Sequence, residues 1–161
     1  MAAALTGMYS VGSDLFVAHV GHTRCYIFRD GRLVQLTRDQ TLRERRATSP
    51  HPIPVGQGID DVPHILTDVV GGSDNDPGVM VEHFRLANDD TVLLCTNGLT
   101  DAVDDDAISD VLASRRNQSE QCDLLVDIAV ANGTEDNATV VIANYQVADI
   151  PTDEADNALD D

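Results

Sequence analysis

Residues 89–112 read DDTVLLCTNGLTDAVDDDAISDVL. The run from Val92 to Cys95 is apolar without alternation and too short for a helix, which reads as a buried core strand. Thr96, Asn97 and Gly98 then form a polar turn, and Asp104 or Asp105 is placed to cap a helix carrying Ile108, Val111 and Leu112 on one face. A core strand therefore ends at a rim, and the first polar group of consequence there is the Asn97 amide.

Working outward, DLFVAHVG, RCYIFRDG and RLVQL (residues 14–36) read as a three-stranded meander rich in β-branched and aromatic residues. Asp30-Gly31 predicts a type I′ hairpin, whose two central residues need positive φ. Thr37 with Gln40 predicts a capping box opening an Arg-rich helix over about 38–48, stopped by Pro50, Pro52 and Pro54. Residues 49–63 and 71–78 read as loops, with a short strand from His64 to Val70 between them. VMVEHFRL is a strand that Asn88-Asp89-Asp90 turns back antiparallel onto TVLLC. Asn117 with Glu120 caps a second helix whose apolar positions are Cys122, Leu125, Val126, Ala129 and Val130, and Gly133 stops it. ATVVIANYQV is a final strand, and residues 148–161 form an acidic tail expected to be disordered. Strands and paired helices in this order predict an α+β layered domain over residues 1–147.

Composition narrows the function classes. A chain of 161 residues that is 42% hydrophobic can bury one core; with 4% aromatics and no Trp, that core is aliphatic. A formal charge of -18 opposes binding to nucleic acid or to anionic membrane surfaces. All basic residues are Arg, and residues 24–46 form a locally basic stretch within this acidic chain. Cys25, Cys95 and Cys122 lie apart in apolar runs, as buried free thiols of a reducing compartment do. No targeting segment or membrane-length apolar run is present in the sequence, so a cytoplasmic location is expected.

Three strands end in polar clusters: VGHTR (20–24), CTNGLTD (95–101) and TEDNATVV (134–141). Such an arrangement gathers loop carboxylates at one rim of a sheet. Taken in order with HVGHTRCYIFRDGRLVQLTRDQTL, HILTDVVGG, FRLANDDTVLLCTNGLTDAV and EDNATVVIANY, the text from about residue 2 to 146 resembles the bacterial PPM-type (type 2C) metal-dependent Ser/Thr protein phosphatases. The resemblance implies a β-sandwich flanked by helices, N-terminally truncated here because the family's early acidic residue and DGxGGH-like motif have no counterpart. It also implies two divalent cations, Mn²⁺ or Mg²⁺, held by hard oxygen ligands and generating a hydroxide that attacks phosphorus. The partner would be a phosphoserine or phosphothreonine protein, with a Ser/Thr kinase as a further candidate.

The resemblance carries to the residues unevenly. Asp136 keeps a carboxylate at a ligand position. Asn97 stands where the family places a metal-binding Asp, and His22 where it places another Asp. Asp101 lies behind these positions. Each has a plainer reading: Asp136 or Asp101 capping a turn, Asn97 as a turn residue tolerant of left-handed backbone, His22 as a structural loop histidine. Arg24 either pairs with a carboxylate under the sheet or meets phosphate. Arg38, Arg43, Arg45 and Arg46 read as a solvated helix face, and His19, His51, His64 and His83 lack ligand spacing. Two functions follow: a Ser/Thr phosphatase, incomplete or impaired in this chain, or a non-catalytic pseudophosphatase that binds a phosphoprotein or kinase in signalling.

Overall fold

The computed structural model describes residues 2–50, 65–71 and 78–147. Seven strands and four helices run in the order β1 (Leu5–Val11), β2 (Asp14–Val20), β3 (Arg24–Arg29), β4 (Arg32–Gln35), α1 (Leu42–Thr48), β5 (Met80–Arg85), β6 (Thr91–Cys95), α2 (Asn97–Thr100), α3 (Asp105–Ala113), α4 (Gln118–Ala131) and β7 (Val140–Asn144). They build two antiparallel sheets, β1-β2-β5 and β4-β3-β6-β7.

The layers follow from which side of each strand is apolar. Leu15 and Val17 of β2 meet Cys25 and Ile27 of β3 and Val92 of β6 between the sheets. Tyr26, Leu93 and Cys95 occupy the opposite face of the four-stranded sheet, where they pack on Leu99, Ile108, Val111, Leu112, Leu125 and Ala129. Strand β6 is thus covered by a sheet on one side and by helices on the other, which is why its apolar run is unbroken. This α+β sandwich with a helical layer is the architecture the sequence predicts.

Several local signals are realised directly. Asp30 and Gly31 have φ of 50° and 74°, as the two-residue hairpin turn requires. The Asp104 side chain accepts from Ala107 N at the start of α3, and Asn117 and Glu120 complete both halves of a capping box at α4.

Five expectations are corrected. The meander is split: β2 belongs to one sheet and β3 to the other, so Gly21-His22-Thr23 crosses between layers. Likewise β5 pairs with β2, and β6 with β3 and β7, so Asn88-Asp89-Asp90 is a passage between sheets and not a hairpin. The Arg-rich helix begins later, capped by Thr41 accepting from Glu44 N. The Thr37 hydroxyl instead accepts from Cys25 N, while Gln40 accepts from Gly21 N and donates to Gly78 O, so neither is available to cap. The His64–Val70 strand reduces, in its described part, to isolated bridges of Leu66 with Thr41 and Val70 with Ala3. The buried face of α4 is also rotated. It centres on Gln121, Leu125 and Ala129, and Val130 is exposed. Gln121 is drawn inward because its amide donates to Val111 O and Leu112 O, closing the end of α3.

The three cysteines are free, with Cys25 and Cys95 buried and Cys122 partly so. His19 is the buried histidine of the sandwich, 2% exposed. Its Nε2 donates to Arg38 O at 3.0 Å, because a carbonyl can only accept; Nδ1 therefore accepts from the Thr6 hydroxyl at 2.8 Å. Burial outweighs the carbonyl contact and lowers its pKa. The unfolded chain thus takes up a proton near about pH 6.5 that the folded chain refuses. Stability is expected to be complete above that pH and to fall below it, by up to about 1.4 kcal/mol per pH unit from this group. Urea midpoints between pH 7.5 and pH 5 would show the slope, and His19→Gln should flatten it.

Candidate active site

The turn after β6 is welded to the loop before β7. Thr96 N donates to Thr139 O at 3.1 Å, Thr139 N to the Thr96 hydroxyl at 2.9 Å, and that hydroxyl to Asn137 O at 3.0 Å. Thr134 reaches back to Gly98 O at 2.7 Å. Gly98 is needed because a Cβ there would lie 2.6 Å from Asn137 O. Leu99, fully buried, anchors the helical turn from the other side. Two loops separated by about 40 residues in sequence are held as one rim, with Asn97 and Asp136 on it.

Asn97 sits between carboxylates. Its Nδ2 donates to Asp101 Oδ2 at 3.0 Å and to Asp136 Oδ2 at 3.2 Å. Asp136 Oδ1 accepts from Asn137 N at 2.8 Å, so this residue both closes its own turn and faces the rim. His22 joins them from the β2–β3 crossing: His22, Asn97 and Asp101 line two cavities, one of about 310 Å³ that also touches Arg24, Asp39, Arg43 and Thr100, and one of about 550 Å³ that also touches Asp136. The four residues singled out from the sequence are therefore brought together on one ridge.

Arg24 takes the structural part of its two readings. It forms a two-pronged pair with Asp39 at 2.9 and 2.7 Å and donates to the Tyr26 hydroxyl, which in turn donates to Asp105 Oδ1. Burial disfavours its charge, but Asp39 and Tyr26 outweigh this and raise its pKa, so it stays a cation. Arg43 is the cation the sequence reading assigned to a solvated face. It lines the smaller cavity, and among the described residues no ion pair engages it. The Thr41-x-x-Glu44 cap was the available signal, since it fixes the turn of helix that carries Arg43. His83 lies elsewhere, stacked on Phe16 and paired with Asp14, and His51 and His64 fall outside the described residues.

The rim's donor chemistry fits one hard divalent cation: two carboxylates beside an amide, with water completing the shell. It does not supply the anionic ligands of two. Among the described residues no group of three His, Cys, Asp or Glu is close enough to hold an ion. Among the described residues no helix is long and apolar enough to cross a membrane.

Comparison with known proteins places this geometry. The profile described as Protein phosphatase 2C matches residues 72–138. The Serine/threonine protein phosphatase PstP of Mycobacterium tuberculosis is 29% identical over 144 residues, covering 89% of this chain and 27% of PstP. The Serine/threonine phosphatase stp of Listeria welshimeri is 30% identical over 144 residues, covering 88% of this chain and 56% of that protein. The solved PstP catalytic domain in complex with two manganese ions superposes with a TM-score of 0.74 at 28% identity, over 89% of this chain and 59% of that one. The two sheets and the helical layer are thus those of the type 2C phosphatase fold. The chain is similar to the protein phosphatase 2C family over most of its own length, and it spans little more than half, or less, of the length of these curated relatives.

Proposed function

We propose that this chain serves in the dephosphorylation of phosphoserine and phosphothreonine proteins in the cytoplasm, using Mn²⁺ or Mg²⁺, and that its hydrolysis is impaired relative to its namesakes. The observation that carries this reading is the convergence of Asp136, Asp101, Asn97 and His22 on one ridge between two cavities of a type 2C sandwich.

Asp136 and Asp101 are the groups that would hold a cation, which when bound supplies positive charge against the phosphate and a more acidic water. Arg43 offers the phosphate a second positive charge from the cavity wall. Arg24 is committed to Asp39, so it shapes the wall and keeps Tyr26 in place. The impairment comes from Asn97 and His22, an amide and an imidazole where the resemblance expects carboxylates.

The test is phosphate release from a phosphothreonine peptide by the purified chain, titrated with Mn²⁺ and Mg²⁺. Slow, metal-dependent release that Asp136→Ala abolishes is the expected result. Release indifferent to that substitution would remove Asp136 from the site. The presence of Asn97 and His22 in place of two carboxylates favours one other reading, a non-catalytic module that binds a phosphoprotein or its kinase. That reading gains if the folded chain binds the phosphorylated peptide over its unphosphorylated form and releases no phosphate.

A further inference from the structure

We propose that Asn97 acts as a built-in substitute for a divalent cation, bridging Asp101 and Asp136 so that the rim is formed by the protein alone and a metal must compete with an amide to enter. This rests on reading the rim as the phosphatase site.

Both neighbours of the Asn97 side chain are carboxylates, and an ionised carboxylate only accepts. The amide must therefore present its nitrogen, and the two N–H groups go one to each, at 3.0 Å to Asp101 and 3.2 Å to Asp136. These protons occupy oxygens that a cation would use. They also offset the repulsion of two like charges brought to one point.

The amide is held in place from behind. The Asn97 carbonyl accepts from Asp101 N at 2.9 Å, and the adjacent Gly98 is wedged against the Asn137 backbone. Asn97 is thus fixed on the two elements it bridges. A cation would gain two carboxylates and displace both hydrogen bonds; a neutral oxygen from the turned amide is all that Asn97 could offer in exchange. An aspartate at the same position would reverse this balance. Three carboxylates would then meet without the Asn97 amide to donate between them, an arrangement that a cation stabilises.

The experiment uses Mn²⁺ alone as the probe, with free Mn²⁺ followed by electron paramagnetic resonance and melting followed by circular dichroism, on the wild-type chain, Asn97→Asp and Asn97→Ala. The wild type is expected to melt at the same temperature in EDTA and in Mn²⁺ and to bind the ion weakly. Asn97→Asp should melt lower in EDTA, recover in Mn²⁺, and bind at least about tenfold more tightly. Asn97→Ala should melt lower in EDTA, be restored only in part by Mn²⁺, and bind the ion more tightly than the wild type but less tightly than Asn97→Asp. Wild-type binding as tight as that of Asn97→Asp overturns the proposal, as does weak binding by every chain, since Asn97 would then not be the barrier. Phosphate release and its dependence on Asp136 decide the functional reading separately.

Discussion

Replacing Arg29 with alanine is expected to destabilise the fold by about 3–5 kcal/mol, the range for stranding one partner of a buried ion pair. Asp90 is fully buried at the passage from one sheet to the other. Its carboxylate receives Arg29 Nε at 2.7 Å, Arg29 Nη2 at 2.6 Å and the Ala87 amide at 2.6 Å. Arg29 Nη2 also donates to Arg85 O at 2.8 Å, so one guanidinium on β3 ties the four-stranded sheet to the end of β5 in the other. Burial pushes the Asp90 carboxyl up, but Arg29 and the Ala87 amide outweigh it and leave its pKa lowered.

The two halves of the pair are not equivalent. The Arg29 side chain is 41% exposed and can turn to water when its partner is lost, whereas Asp90 cannot. Asp90→Ala should therefore cost less, about 1–3 kcal/mol, mainly through the unpaired Ala87 amide. Urea unfolding of both variants at pH 7 checks the order, and equal losses would contradict the argument. Because the folded pKa of Asp90 is depressed, the pair's contribution is present above the ordinary carboxylate range and is lost as pH falls through the folded value. The penalty of Arg29→Ala should shrink accordingly in acid.

The second large effect is expected at Gly98. An alanine methyl there would meet Asn137 O at 2.6 Å, Asn137 C at 2.8 Å and Ala138 N at 3.0 Å. All three are backbone atoms, and the loop that carries them is tied down by Thr96 and Thr139. Relief must come from parting the two loops, which costs about 1–3 kcal/mol as overpacking does and moves Asp136 away from Asn97. Gly98→Ala should lower the melting temperature and remove Asp136-dependent phosphate release together. Gly7→Ala is the control, since a Cβ there meets nothing within 4 Å; equal behaviour of the two variants would show that the close approach is unimportant.

Most of the rim was legible before the structure. The apolar run that ends just before Asn97, and the loop before β7 that carries Asp136, are local patterns, and the family resemblance joined them. The fold's layers were legible from the order of strands and paired helices, and residues such as Val92 and Leu93 mark β6 as a core strand. What covers them is not recorded. Alternation in DLFVAHV and RCYIFR is the same whether the strands pair or face each other across a core, so the meander and the β5–β6 hairpin were plausible and wrong. The rotation of α4 was hidden similarly: Gln121 looks like a surface residue until the carbonyls at the end of α3 are there to receive it.

The sequence by itself determined the caps of α3 and α4, the Asp30-Gly31 turn, the buried strand and the family resemblance, since each depends on residues near one another or on a text matched in order. Only the tertiary structure decided the pairing of sheets, the Arg29–Asp90 tie, the place of Arg43 on the cavity wall and the direction of the Asn97 amide. Those depend on groups far apart in the chain, such as Arg29 and Asp90 at a separation of 61 residues, meeting in space, where distance and the donor or acceptor character of the neighbour settle what a side chain does.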